Sequence, residues 1–389
     1  MNFNLSEEQA LIRDSIARFV QDNYEFDKRN EYVAADHGFS ADNWQQMAEL
    51  GWLSIPFAEE HGGFGGGPVD SMVIMQEFGK GLVAEPYLPT VLLFGQLVQK
   101  GAEADLAGEL IPQVIAGELQ GAFAYVERQS RYALNDIATR ATRDGDSWSI
   151  SGEKTVVLNG GAAQKFVVAA RTSGDQADES GISLFLVDAG AEGLARDTYR
   201  MTDGQEAANL RLEGVAAEAL LGAEGAGLAL MQEVIDEAIL AVSANALGAM
   251  EFLNATTVEY CKTREQFGVA IGSFQALQHR MVDTFAACEN ARSLLYRAVC
   301  AFDAGDDDAQ RSLHALKVMI GKAGRHVGGE AIQLHGGMGM TNELPVGYYV
   351  KRLMLINTLF GDQDYHRQRF QELVNAKPQT VASAKSAAA

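Results

Sequence analysis

Between Pro112 and Pro345 the chain has no proline, although five of its seven prolines fall at or before residue 112. Proline removes an amide donor and clashes with the preceding helical turn, so a proline-free run of this length permits very long helices. An apolar stripe runs through it. Leu228, Met231, Ile235, Ile239, Val242, Leu247, Met250 and Leu253 recur at helical spacing and predict one helix of about 35 residues. Further helices are expected over 285–304, over 312–334 and near 362–375. Long helices that are apolar on one side pack into bundles, often shared between subunits.

Within the same run, residues 119–225 carry a different pattern. Short β-branched and aromatic stretches separated by turn residues predict strands at 139–143, 148–157, 166–171, 182–187 and 209–212. Asp144-Gly145-Asp146 reads as a hairpin turn between the first two. Ahead of them the chain reads helical: Leu5, Leu11, Ile12, Ile16, Phe19 and Val20 keep one apolar stripe, and Ser6 with Glu7 and Glu8 supplies a start signal. The expected fold class is therefore α+β, with an N-terminal helical domain (1–118), a middle β-barrel or sandwich domain (119–225), a C-terminal four-helix bundle (226–376) and a mobile, low-complexity tail (377–389).

A net charge of −21 repels nucleic acid and anionic lipid, so neither is an expected partner. It also repels a polyphosphate, so a site for one has to concentrate Arg and Lys locally. No apolar run is expected to reach the ~18 residues of a membrane span, and the N-terminal sequence lacks a basic stretch followed by an apolar one. Cys261, Cys288 and Cys300 fit neither a zinc nor a disulfide spacing. A cytoplasmic protein without a metal is expected.

Three segments are candidates for chemistry. The glycine-rich loop at 62–67 follows no strand and lacks the G-x-G-x-x-G spacing, so it reads as a tight surface loop. Arg264, Gln266 and Phe267 precede Gly268, with Gln275 and Gln278 shortly after; a guanidinium with nearby amides matches phosphate oxygens, and a cation at a helix C-terminus is equally the expected end of a helix. Gln333 through Gly339 sets Gly336 and Gly337 where a helix must stop, which lets a backbone approach closely.

Taken together, Thr263-Arg264-Glu265-Gln266-Phe267-Gly268 and Gln333-Leu334-His335-Gly336-Gly337-Met338-Gly339 resemble the signature segments of the acyl-CoA dehydrogenase flavoproteins. Leu5 through Gln9, Ala58 through Gly63, Gly152-Glu153-Lys154 and Asn159-Gly160-Gly161 extend the resemblance over nearly the whole chain. It implies FAD as cofactor, an acyl-CoA thioester as substrate, α,β-dehydrogenation to the 2-enoyl-CoA, and electron-transfer flavoprotein as electron acceptor. It also implies that Arg264, Gln266, Phe267, Gln275, Gln333, Gly336 and Gly337 hold the adenosine-pyrophosphate part of a flavin whose ring sits in a neighbouring subunit.

The resemblance fails on the ring side. The family's Thr-Glu-Pro-x-Ala-Gly-Ser-Asp stretch corresponds here to Val126 through Ala133, of which Glu127 alone matches clearly, and its hairpin Trp and Thr correspond to Val156 and Leu158. The two positions where the family carries its catalytic carboxylate hold Phe360 and Ala238. Glu237 and Asp362 lie nearby, but one residue on a helix is a rotation of about 100°. Glu127 through Tyr132 and Leu359 through Asp362 are similar to the small subunits of heteromeric pimeloyl-CoA dehydrogenases, which implies an α2β2-like partner bringing the base. Two other readings stay open: a self-associating, self-sufficient homotetrameric enzyme using Glu237 or Asp362, with Arg128 and Arg131 binding a carboxylate on an unusual substrate, and a non-catalytic acyl-CoA-binding scaffold.

Overall fold

The computed structural model describes residues 5–145 and 147–376. The expected tail at 377–389 and Asp146 of the expected hairpin turn lie outside them.

Six helices form the first part: α1 (Glu7–Asn23), α2 (Phe26–Ala34), α3 (Ala41–Glu49), α4 (Pro68–Gly81), α5 (Gln96–Gly101) and α6 (Ala104–Ile115), with a π-helical stretch at Tyr87–Gly95. Ser6 starts α1 as the sequence suggests, accepting from the Gln9 amide while the Gln9 side chain accepts from the Ser6 amide. In the glycine loop the backbone passes close to a neighbour: a Cβ on Gly63 would lie 2.0 Å from the Phe57 carbonyl oxygen, so tight packing rather than a ligand accounts for that glycine.

Eight strands follow: β1 (Gly121–Ala124), β2 (Arg140–Asp144), β3 (Ser147–Leu158), β4 (Lys165–Arg171), β5 (Ile182–Asp188), β6 (Leu194–Arg200), β7 (Glu206–Ala216) and β8 (Ala219–Leu221). They join one sheet in the order β6-β7-β3-β2-β4-β5-β8, with β1 parallel to β4. Successive side chains of a strand face opposite ways. Phe166, Val168 and Ala170 of β4 accordingly enter one core, while Val167 and Ala169 enter the other, which is shared with the helices.

The last part is helical: α7 (Gly227–Thr263), a small hairpin of β9 (Glu265–Gln266) and β10 (Val269–Ala270), then α8 (Gln275–Asp303), α9 (Ala309–His335), α10 (Val346–Thr358) and α11 (Gln363–Asn375). One expectation needs correcting: by length and composition α7 does contain a window apolar enough to cross a bilayer. Yet 78% of that window is buried inside the protein, so its apolar surface is core packing.

Candidate active site

A cavity of about 250 Å³ lies between the sheet and the last helices. Its sheet side is Phe123, Tyr125, Val126, Val156 and Leu158, and α7 presents Gln232, Ile235, Asp236 and Ile239 to it, an i, i+3, i+4, i+7 stripe. The turn between α10 and α11 closes it with Leu359 and Phe360. Arg131, Tyr132, Leu134, Gln232 and Tyr365 also line a wider cleft, through which the cavity reaches the surface. That cleft carries Glu179, Asp362, Asp364 and Glu372 against Arg131 and Arg369, an acidic balance that does not concentrate cations for a polyphosphate.

The two positions where the resemblance expects a carboxylate stand in different surroundings. Phe360 sits in the left-handed region (φ 58°) and lines the cavity, while Ala238 is fully buried in the core. After Phe360 comes Gly361, where a Cβ would lie 2.5 Å from His366 Nε2, so the turn admits no side chain there. Neither neighbouring acid reaches the cavity. Glu237 accepts from Lys100 Nζ at 2.8 Å and faces a separate depression, whereas Asp362 caps α11, its Oδ1 accepting from the amides of Asp364 at 3.0 Å and Tyr365 at 2.9 Å. Of the two arginines, Arg131 lines the cavity from a left-handed backbone (φ 47°); Arg128 is exposed and does not line it.

Three groups that the sequence reading did not single out face the cavity instead. Asp236 is buried and accepts from Gln232 Nε2 at 2.8 Å and from Gln310; burial pushes its carboxyl up to about 6, against those hydrogen bonds. His314 and His366 lie Nδ1 to Nδ1 at 2.8 Å, and His366 Nε2 is 3.1 Å from the Phe360 carbonyl oxygen. A carbonyl only accepts, so His366 Nε2 carries the hydrogen, its Nδ1 accepts from His314 Nδ1–H, and His314 Nε2 is left as a lone pair. Burial holds both rings neutral, at about 4 for His314 and about 3 for His366. The signal for Asp236 was present in the stripe of Ile235 and Ile239, one helical turn apart on the same face.

Glu127, the one clear match in its segment, is structural. It is 4% exposed, accepts from Lys154 Nζ at 2.7 Å and takes the amides of Ala138 at 2.8 Å and Thr139 at 3.1 Å.

The residues expected on the adenosine side lie elsewhere, together at the surface. Tyr260 near the end of α7 stacks on His335 at the end of α9, with ring centroids 4.3 Å apart, which brings the two glycine-bearing segments side by side. Arg264, Gln266, Phe267, Gln275, Gln333, Gly336 and Gly337 are all exposed, and none lines the cavity. Phe267 is 93% exposed, with Val282 and Phe285 of α8 also outside. The donor set suits an adenosine-pyrophosphate: the Arg264 guanidinium has no partner among the described residues, and a Cβ on Gly336 or Gly337 would meet nothing within 4 Å. This set faces outward, away from the cavity. On the cavity side Val126, Val156 and Leu158 offer a flavin ring no side-chain donor.

The helical, sheet and helical parts, with a cavity where they meet, define a class of flavoenzyme scaffold. Sequence models of the N-terminal, middle and C-terminal domains of acyl-CoA dehydrogenases match residues 6–118, 122–215 and 225–374. The chain belongs to the acyl-CoA dehydrogenase family, FAD-dependent oxidoreductases acting on CH–CH bonds. It is 30% identical to the short-chain-specific acyl-CoA dehydrogenase of Clostridium acetobutylicum, over 89% of this chain and 92% of that one. Acryloyl-CoA reductase (NADH) of Anaerotignum propionicum is 28% identical, over 94% of each. Among solved structures, a variant of the Tcur3481-Tcur3483 steroid ACAD has a TM-score of 0.86 at 28% identity, covering 95% of this chain and 98% of that one.

Proposed function

We propose that this chain is the accessory subunit of a heteromeric, α2β2-like acyl-CoA dehydrogenase acting in the cytoplasm, in which it lends the adenosine side of the FAD site to a homologous catalytic chain. The observation that carries this is the separation of the two half-sites. Arg264, Gln275, Gln333 and the two glycines are displayed together on an outer face, whereas of the two positions where a base belongs one puts Phe360 on the cavity wall and the other buries Ala238 in the core.

FAD, when bound, supplies the acceptor for the hydride that leaves the β carbon of the thioester. The protein's share of the reaction is removal of the α proton, which needs a carboxylate within hydrogen-bond reach, about 3 Å. A phenyl ring and a methyl group accept no proton, so that step falls to the partner. Here Arg264 would pair with the pyrophosphate through its guanidinium fork, and the amides of Gln275 and Gln333 would hydrogen-bond the adenosine end. The similarity of Glu127 through Tyr132 and Leu359 through Asp362 to pimeloyl-CoA dehydrogenase small subunits supports the same role. So does the Tcur3481-Tcur3483 enzyme, which is named for two components. Electron-transfer flavoprotein is the proposed electron acceptor.

A second reading is favoured by Asp236, a buried carboxyl facing the cavity with its pKa raised to about 6, near what a general base needs. Under it the chain is self-sufficient and Asp236 takes the α proton. Dye-coupled acyl-CoA oxidation separates the two. The accessory role predicts negligible turnover by the chain alone, turnover with a homologous partner, and no loss on Asp236→Asn in the pair. Turnover by the chain alone, abolished by Asp236→Asn, would replace the accessory role with the second reading.

A further inference from the structure

His314 ends a chain of hydrogen bonds whose direction is set at its other end. The Phe360 carbonyl can only accept, so His366 Nε2, 3.1 Å away, carries its hydrogen and His366 Nδ1 is a lone pair. His314 Nδ1, 2.8 Å from that lone pair, is then the donor, and His314 Nε2 keeps no hydrogen. Protonating either ring would change this, but burial holds His314 at about 4 and His366 at about 3, so at neutral pH the order is fixed.

His314 Nε2 has no partner among the described residues, and it is not one of the unpartnered atoms sealed away from the surface. Its ring is 6% exposed and lines the cavity between the sheet and the last helices, with Nδ1 turned to His366. Arg369, whose charge acts on the ring, donates to Glu372 at 2.8 Å instead. Asp236, the other acceptor on this wall, already takes hydrogens from Gln232 and Gln310. Much of the remaining wall is apolar, including Leu93, Phe123, Ile235, Ile239 and Leu355. A fixed, unused acceptor in such surroundings is costly to leave unmade, so a ligand that supplies the matching hydrogen is selected over one that does not.

We propose that the cavity selects an acyl group that bears a hydroxyl, and that His314, whose Nε2 accepts from that O–H, is the residue that sets this specificity. An alkyl chain has no hydrogen to offer, and a ketone or an ether only accepts. A carboxylate, ionised at neutral pH, cannot donate either, and Asp236 on the same wall opposes its charge. An ammonium could donate but would have to leave water for a largely apolar space. The inference rests on the family reading of the cavity as the place for a thioester's acyl group, and not on the accessory role, because it concerns this chain's own cavity.

Isothermal titration calorimetry of the full chain tests it, with octanoyl-CoA, its monohydroxy derivatives carrying the O–H on each carbon from the fourth to the eighth, and the matching ketones and methyl ethers. The hydroxy ester whose O–H reaches His314 is expected to bind about tenfold tighter than octanoyl-CoA, the equivalent of roughly one hydrogen bond. The ketone and the ether at that carbon should show no gain, and His314→Phe should abolish the preference. Nitrogen NMR of the histidine-labelled, unsubstituted chain gives a second readout. His314 Nε2 should appear as an unprotonated ring nitrogen and should shift on addition of the hydroxy ester but not of octanoyl-CoA. Equal binding of hydroxy and alkyl esters at every position would overturn the inference and leave the nitrogen to ordered water. A gain for ketones or ethers as large as that for alcohols, or a protonated Nε2 in the free chain, would overturn it by making the ring a donor. Absence of binding by every thioester would overturn the acyl reading of the cavity, and the inference with it.

Discussion

The ammonium of Lys317, buried in α9, stands 2.9 Å from the carbonyl oxygen of Gly361 and 2.7 Å from that of Ile356. One cation therefore satisfies the end of α10 and the turn that follows it, and holds Phe360 at the cavity wall from behind. Burial brings the amine down to about 7, with Asp362 opposing that shift. Lys317→Met removes the donor and leaves those carbonyls buried. We expect a loss of roughly 2–3 kcal/mol in urea unfolding, and undiminished stability would mean that the turn does not depend on the amine.

The paired histidines predict a pH dependence. Both rings titrate far below the ordinary value of about 6.5. Burial is the main cause for each; Lys317 and Arg369 repel a charged His366, and Arg369 does the same to His314, with Glu372 partly opposing. Because the folded pKa values are depressed, the stability they contribute is complete above pH ~6.5 and is lost as pH falls through about 4 and about 3. Denaturant melts should show this slope. Replacing both rings, His314→Gln with His366→Gln, should flatten it, and an unchanged slope would assign it to other groups.

Glu127 and Lys154 form a buried ion pair in the sheet. Burial alone would raise Glu127, but Lys154 and the surrounding hydrogen bonds overcome it and hold the carboxyl at about 2. Lys154→Met leaves that carboxylate buried without its cation and should cost about 3–5 kcal/mol, whereas Glu127→Leu with Lys154→Met should recover much of the loss. Thermal unfolding of the two variants decides it; a single variant as stable as the double would contradict the pairing.

Much of the fold was legible in the sequence because it is written in periodicity. The stripe from Leu228 to Leu253 and the fully buried runs of β4 and β5 are long and regular. β1, β6 and β8 were not legible: β1 and β8 are short, and β6 is a mostly exposed Leu-Ala-Arg-Asp-Thr-Tyr-Arg edge with no apolar alternation. In the candidate site the absence of a base at Phe360 and Ala238 could be read directly. Asp236 was legible only through its neighbours Ile235 and Ile239: the family's base position is 238, whereas the face of α7 that meets the cavity runs through 232, 235, 236 and 239.

If Arg264 grips the pyrophosphate of a shared flavin, Arg264→Ala in a co-purified pair should weaken FAD retention by about 10- to 100-fold, the worth of a charge-assisted contact. The readout is the flavin-to-protein ratio after desalting. Full retention would remove Arg264 from the cofactor site.

The accessory role itself is tested most directly by the visible spectrum and FAD stoichiometry of this chain, purified alone and again after co-expression with a homologous dehydrogenase chain, each before and after addition of acyl-CoA. The accessory role predicts one flavin per two chains, bleached by substrate in the co-expressed sample alone. One flavin per chain, bleached by substrate in the sample purified alone, would contradict it.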